Sequence, residues 1–319
     1  MSASALISVD KVRRQYGRLT AVHELSFTLQ RGQVLGLLGP NGAGKSTTLQ
    51  MVCGVLAPTS GEIAIDGVSL AKHPLRAKQR LGYLADTPPV YPEMRVVEYL
   101  THCARLRRVA GRDVAKRVAD VIERCGLGDV RRRLIGQLSK GMLQRVGIAQ
   151  AIVHQPQVVV LDEPTIGLDP LQILEIRRLI RRLGDDYGVL ISTHILPEVQ
   201  AVCDRVLIIN RGQLVYDGPP VAESAAQSAR IVDARFSQAV SAEHFTELQG
   251  LTAAKARSPQ HWELQFVDDA AAQRALATAV SEGLAVRSWQ PMEPSLEHLF
   301  MEIVTRDEIA AAAEAEVRA

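Results

Sequence analysis

The stretch Gly39-Pro40-Asn41-Gly42-Ala43-Gly44-Lys45-Ser46 constrains this chain more than any other. Its glycines, lysine and hydroxyl have the spacing of a loop that cradles a nucleoside triphosphate. The run ahead of it, Val34-Leu35-Gly36-Leu37-Leu38, is short and apolar and predicts a buried parallel strand, and Thr47 to Val55 predicts the helix after the loop. Gly39, Gly42 and Gly44 are expected to take backbone angles closed to residues with a Cβ, so that successive N–H groups converge on phosphate at a helix N-terminus. Lys45 would neutralise β- and γ-phosphate oxygens, and Ser46 would bind Mg²⁺. The expected nucleotide is ATP, held by Asn41, Gly42, Gly44, Lys45, Ser46 and Thr47.

A chain of 319 residues exceeds what one small core holds, so two domains are expected. Although 47% of its residues are hydrophobic, no apolar run approaches the roughly 20 residues that cross a bilayer. No basic and apolar leader opens the chain, and the cytoplasm is the expected compartment. Cys53, Cys103, Cys125 and Cys203 are scattered without a Cys-x-x-Cys pair, which argues against a zinc site or a disulfide framework and predicts reduced core residues. A formal charge of +2 does not single out nucleic acid as a partner.

In chain order, Ile7 to Val12 and Glu24 to Leu29 predict strands, with Tyr16-Gly17 between them. Tyr16 has two readings of similar weight from position alone: a ring stacked on adenine, or a ring covering a strand end. Gly61 to Gly67 predicts an edge hairpin and Arg80 to Leu84 a strand, stopped by Pro88-Pro89. Helical spacing then runs from about Tyr91 to Val130, with Val96, Val97, Leu100, Cys103 and Leu106 on one face. The arginines nearby, Arg105, Arg107, Arg108 and Arg131 to Arg133, could face acidic lipid or a partner, but a solvated face is the favoured reading.

Ser139 is suited to cap the helix running through Val153, and Gly141 leaves the backbone bare at its start, making a second anion site. Val158 to Glu163 is an apolar strand ending in two carboxylates, at the sheet edge where open α/β sheets bind ligands. There Asp162 would hold Mg²⁺ through water, and Glu163 would orient or deprotonate an attacking water. Gly167 to Pro170 predicts a turn, Leu174 to Leu183 a basic amphipathic helix, and Val189 to Thr193 a buried strand delivering His194. An isolated histidine is usually structural, but one on the same sheet edge as Glu163 can contact a γ-phosphate.

These motifs in this order, over residues 1 to about 219, resemble an ABC transporter ATPase. The resemblance implies an α/β P-loop ATPase domain over 1–219, with a helical subdomain at about 91–155. It also implies a head-to-tail homodimer in which each ATP lies between Lys45 of one protomer and the Ser139/Gly141 segment of the other. By the same resemblance Tyr16 stacks on adenine, Asp169 communicates across the dimer, and His194 is the switch histidine. The partner is a separate multi-span permease, the place the cytoplasmic face of the inner or plasma membrane, and no nucleic acid is expected. Two positions depart from the family. Asp86 stands where a glutamine is usual, its carboxylate still able to approach Mg²⁺ or water. Leu138-Ser139-Lys140-Gly141-Met142 replaces Leu-Ser-Gly-Gly-Gln. An active ATPase is expected, with a rate these departures can lower.

Beyond Gly218 an Ala/Ser-rich linker precedes strand (Arg230 to Phe236), helix (Ala242 to Gln249), strand (Leu251 to Ala256), strand (His261 to Phe266), helix (Asp269 to Ser281) and strand (Ala285 to Trp289). That is the β-α-β-β-α-β order of an α+β ferredoxin-like accessory domain, placed at 220–305, with a helical or disordered tail at 306–319. Trp262, Phe266, Trp289 and Phe300 read as its core. Pro294-Ser295-Leu296-Glu297-His298-Leu299-Phe300 is similar to the closing segment of ATPase subunits of bacterial exporters with a separate permease, and the Ser-Lys-Gly signature and Asp86 resemble the gliding-motility and copper-enzyme-maturation branch. Two other classes fit less well. A soluble ABC ATPase acting on nucleic acid or ribosomes commonly carries two motif sets or long coiled-coil arms, and intact Lys45, Glu163 and His194 count against a binding-only switch in which hydrolysis has decayed.

Overall fold

The hairpin β1 (Ile7–Tyr16) and β2 (Leu19–Leu29) opens the fold of the computed structural model, which describes residues 5–220, 230–245, 248–292 and 300. Strand β2 begins at Leu19, five residues ahead of the expected Glu24. The pairing shifts register near Lys11 and Glu24, both with positive φ, so bulges broke the alternation that marks a strand in sequence. After β3 (Val34–Leu38) and helix α1 (Lys45–Val52) come β4 (Ser60–Ile65) and β5 (Val68–Ser69). The first sheet is antiparallel with order β2-β1-β4-β5, so the hairpin β4–β5 lies at its edge as expected, with β5 outermost.

A short helix α2 (Pro74–Gln79), not foreseen in the sequence, leads into β6 (Leu81–Leu84). Helices α3 (Val96–Leu106) and α4 (Gly111–Arg124) form the expected helical region. Val114, Val118, Val121 and Ile122 bury one face of α4 at helical spacing. On α3 the buried residues include Tyr99 and Ala104, while Leu106 is 68% exposed, so the expected stripe is rotated at its end. Arg131 to Arg133 are exposed. Arg107 departs from the solvated reading: its guanidinium, with a pKa pushed down by burial, donates to the carbonyls of Lys78 (3.2 Å) and Leu81 (3.5 Å) and ties α3 to the root of β6.

The chain continues through α5 (Lys140–Ile152), β7 (Val158–Asp162), α6 (Pro170–Asp186), β8 (Gly188–Thr193), α7 (Leu196–Val202), β9 (Arg205–Asn210) and β10 (Gln213–Gly218). The second sheet has order β10-β9-β3-β8-β7-β6, parallel except where β10 turns back on β9. Every residue of β3, β7 and β8 is buried, because helices cover both faces of such a sheet and leave no side for alternation. The register of these strands aligns their ends. Leu38 pairs with Thr193, Asp162 with Ser192 and Leu84 with Leu161, so the carboxyl ends of β3, β8, β7 and β6 lie along one edge. All four cysteines are free and buried.

Residues Met1–Pro220 and Val221–Ala319 form separate units. The second has strands β11 (Arg230–Phe236), β12 (Leu251–Ser258), β13 (His261–Phe266) and β14 (Val286–Met292), with α8 (Asp269–Ser281) between the last two. The sheet is antiparallel with order β12-β13-β11-β14. Trp262, Leu264 and Phe266 alternate into its core, and Ala271, Ala272, Ala275 and Ala279 form the flat buried face of α8. Of the expected first helix, Ala242 to Gln249, the described residues show a 3-10 turn at Ala242–Phe245, which delivers Phe245 onto Trp262 with ring centroids 4.9 Å apart. Trp289 is partly buried against this core. The linker after Pro220 and the 306–319 tail lie outside the described residues, as does the Pro294 segment up to Leu299.

Candidate functional site

The loop between β3 and α1 closes over a cavity of about 450 Å³. Gly44 sits at φ +104°, and a Cβ there would lie 2.7 Å from the Ala21 carbonyl. Gly42 also has positive φ, but Gly39 does not; it is excluded for a different reason, since a Cβ on it would meet the Ile209 carbonyl at 2.2 Å. The loop is thus held between β9 and the start of β2, with Gly44 ending it at the N-terminus of α1. Lys45 is buried, and its ammonium donates to the carbonyls of Gly39 (2.7 Å) and Pro40 (3.0 Å). Burial pushes its pKa down, opposed by Glu163 and Asp162.

The cavity is lined by Ala21, Asn41, Gly42, Gly44, Lys45, Ser46, Thr47, Asp86, Asp162, Glu163, Ile166 and His194. Ten of the residues singled out in the sequence therefore meet in one place, although they come from four separate strand ends. Asp162 is buried at the end of β7 and accepts a hydrogen bond from the Ser192 hydroxyl. Burial raises its pKa, the Ser192 bond lowers it, Asp86 raises it and Lys45 lowers it. Glu163 lies just past the strand at φ +46°, a conformation costly for a residue with a Cβ. Its N–H is held by both the Ser192 carbonyl (3.1 Å) and the Ser192 hydroxyl (3.2 Å). The Nδ1 atom of His194 lies 3.0 and 3.1 Å from the two Glu163 carboxylate oxygens.

The oxygen donors of Ser46, Asp162 and Asp86 suit a hard divalent cation. The Asp162 charge is opposed by burial and by Asp86, and the Ser192 hydrogen bond and Lys45 together offset this only in part, so a cation there would be favourable. Among the described residues no group of three or more His, Cys, Asp or Glu side chains is arranged to hold a metal alone, so phosphate oxygens and water would complete the shell.

Four of the expected residues do not line this cavity. Ser139 caps α5, accepting from the Met142 N–H at 3.3 Å, and Gly141 packs so closely on Gln172 that a Cβ would lie 2.8 Å from its side chain. Asp169 caps α6, accepting from the Gln172 N–H at 2.9 Å. Tyr16 is 44% exposed, and the Arg14 guanidinium lies 4.5 Å from its ring centroid. Within one protomer, none of the four reaches the phosphate loop's cavity.

The ABC transporter family model matches residues 22–166. An uncharacterised ABC transporter ATP-binding protein YxlF of Bacillus subtilis (strain 168) is 31% identical over 299 residues, covering 94% of this chain and 99% of the relative. This chain belongs to the ABC transporter ATP-binding proteins. Similarity extends to the linearmycin resistance ATP-binding protein LnrL of the same organism, 29% identical over 308 residues, with 94% of this chain and 99% of that one covered. Among solved structures, cbiO1 from Clostridium perfringens, part of the ABC transporter complex cbiONQ, matches with TM-score 0.63 and 29% identity over 68% of this chain and 89% of its own.

As a member of this family the chain is an ATP-binding, ATP-hydrolysing subunit of a transporter, and such subunits work with membrane permeases. No helix among the described residues is long and apolar enough to cross a membrane. Several site residues were not foreseen. Ala21 and Ile166 reach the cavity from elsewhere in the chain, which sequence spacing does not reveal. Ser192 was detectable: Ser192-Thr193 is a polar pair ending an otherwise apolar buried strand. Strands β9 and β10 were missed too, though Val206 to Ile209 is an apolar run followed by Gly212.

Proposed function

We propose that two copies of this chain enclose Mg-ATP head to tail and that closure drives a separate membrane permease. The observation that supports this most is the split of the site. Lys45, Ser46, Asp86, Asp162, Glu163 and His194 share one cavity, whereas the helix start at Ser139 and Gly141 lies outside it, so those two residues could meet a nucleotide only on another copy of the chain. Lys45 would leave the Gly39 and Pro40 carbonyls for β- and γ-phosphate oxygens, and the backbone N–H groups of residues 42–47 would hold the remaining oxygens.

Ser46 and Asp162, with Asp86 in reach, would hold Mg²⁺, which when bound neutralises charge on the phosphates. Glu163 accepts a proton from the attacking water. The water oxygen bonds to the γ-phosphorus in line as the bond to the bridging oxygen breaks, leaving ADP and phosphate. His194 would orient the Glu163 carboxylate by donating from Nδ1–H, and with a proton also on Nε2 would donate that one to the γ-phosphate. From the partner protomer, Ser139 and the Gly141 N–H would meet the same γ-phosphate; Lys140 adds a cation there. Asp169 would sit at the seam between protomers, and Tyr16 beside the adenine.

The linearmycin resistance for which LnrL is named favours export, and the subunit would lie at the cytoplasmic face of the membrane through its permease. The ATPase domain is assigned to 1–219, with its helical part at about 91–155. The strand order of the second unit supports a ferredoxin-like accessory domain over 220–305, with a 3-10 turn at Ala242–Phe245 in the place of its first helix's start. The Glu163→Gln variant with excess Mg-ATP tests the central claim. Sedimentation should show an ATP-dependent dimer without turnover; a variant that stays monomeric beside its permease would overturn the proposal.

A further inference from the structure

Behind the cavity lies a carboxylate that the hydrolytic scheme does not use. Glu198 opens α7, is 3% exposed, and has no cation within ion-pair distance among the described residues. One of its oxygens accepts from the Thr165 hydroxyl and the other from the Thr193 hydroxyl at 2.9 Å. Thr193 in turn accepts from the Ile195 N–H at 3.0 Å. Thr165 and Thr193 are themselves buried, at 3% and 1% exposure. A buried carboxylate is costly unless its lone pairs are met, so the two hydroxyls and the charge hold one another in a single arrangement.

The positions of the two threonines give this network its meaning. Thr165 is two residues after Glu163 on the loop leaving β7, and Thr193 is the residue before His194 at the end of β8. The Glu198 carboxylate therefore ties together the two segments whose side chains meet as His194 and Glu163. Glu163 needs such support because its backbone is held in the left-handed region.

We infer that Glu198, through Thr165 and Thr193, is a positioning residue that sets the Glu163–His194 pair at hydrolytic geometry. The inference rests on the role proposed for that pair. Glu198, Thr165 and Thr193 do not line the nucleotide cavity, so the network acts on turnover and leaves nucleotide affinity close to the parent's.

Thr165→Val removes one hydroxyl at constant shape and leaves one carboxylate oxygen without a donor. Glu198→Gln keeps the shape but supplies one acceptor oxygen for two hydroxyls. In the full chain, each is expected to lower kcat at least about tenfold, the scale on which sub-ångström misplacement acts. KM for ATP and the affinity for a fluorescent ATP analogue should stay within about twofold. Thr165→Ser, which restores the hydroxyl, should recover most of kcat. A role in stability alone predicts a lowered melting temperature with kcat per folded molecule unchanged, and that result, or a Ser variant as impaired as Val, overturns the inference. Glu163→Gln measured alongside separates the two claims. If it abolishes turnover while Thr165→Val and Glu198→Gln do not, only the positioning role falls; if it hydrolyses ATP normally, the role given to Glu163 falls and the inference with it.

Discussion

Replacing Ser192 by alanine removes a hydroxyl that is wholly buried and donates to the Asp162 carboxylate, while leaving the strand pairing of β8 untouched. The Glu163 N–H loses one of its two acceptors but keeps the Ser192 carbonyl at 3.1 Å, so no buried amide is orphaned. What remains is one lost hydrogen bond to a charged group, about 1.5–3 kcal/mol. For a unit the size of Met1–Pro220, each kcal/mol moves the melting temperature by about 2–4 °C, so a fall of about 3–12 °C is expected. Since the Ser192 bond lowers the Asp162 pKa against burial, its loss moves that pKa further up. A ligand deprived of its supporting hydrogen bond typically loses about 10–100-fold in metal affinity. Circular-dichroism melting gives the first quantity, and Mg²⁺ titration of ATP hydrolysis at saturating ATP gives the second. Nucleotide binding in EDTA should be unchanged, because Ser192 does not line the cavity. A variant that melts within about 1 °C of the parent, with the same half-maximal Mg²⁺, would refute both the strength assigned to the bond and the placing of the metal on Asp162.

Three further outcomes are expected from the same geometry. Gly39→Ala sets a Cβ 2.2 Å from the Ile209 carbonyl, both on backbone, and should cost about 3 kcal/mol or more in chemical denaturation. Lys45→Met removes a cation whose pKa burial already lowers, so the nucleotide-free protein should be no less stable. In differential scanning calorimetry it should nevertheless lose the gain of about 2.7 kcal/mol that ATP at 100 times its Kd confers on the parent. His154 titrates at about 4 instead of 6.5, pushed down by burial and then by Arg107. Its folded pKa lies below the unfolded one, so the contribution is complete above pH 6.5 and lost as pH falls towards 4. The loss should be about 2 kcal/mol, allowing for solvent at the ring, and His154→Gln should flatten the denaturation profile over that window.

Much of the site is written locally in the sequence. The phosphate loop, the Asp162-Glu163 strand end and the strand delivering His194 are each recognisable because a glycine pattern or a short apolar run declares its own conformation without help from the rest of the chain. The four short strands of the second unit were legible for the same reason, through alternation such as Trp262, Leu264 and Phe266. Elements whose pattern was interrupted or brief were not: the start of β2 is hidden by bulges, α2 has only six residues, and the turn at Ala242–Phe245 looks like a helix in one dimension.

What only the tertiary structure decided is how those pieces stand to one another. Sequence names Asp162, Glu163 and His194, but the parallel register of β7 against β8 puts Ser192 under Asp162 and His194 within hydrogen-bond distance of Glu163. It also decides that Gly39 is demanded by the Ile209 carbonyl and not by its own φ, that Asp169 and Ser139 are occupied as helix caps, and that Glu198 joins two threonines 28 residues apart in the chain, Thr165 and Thr193. The physical reason is that backbone conformation and burial preference act over a few neighbouring residues and can be read along the chain. Close contacts and paired charges depend on which strands become neighbours, and no local pattern carries that.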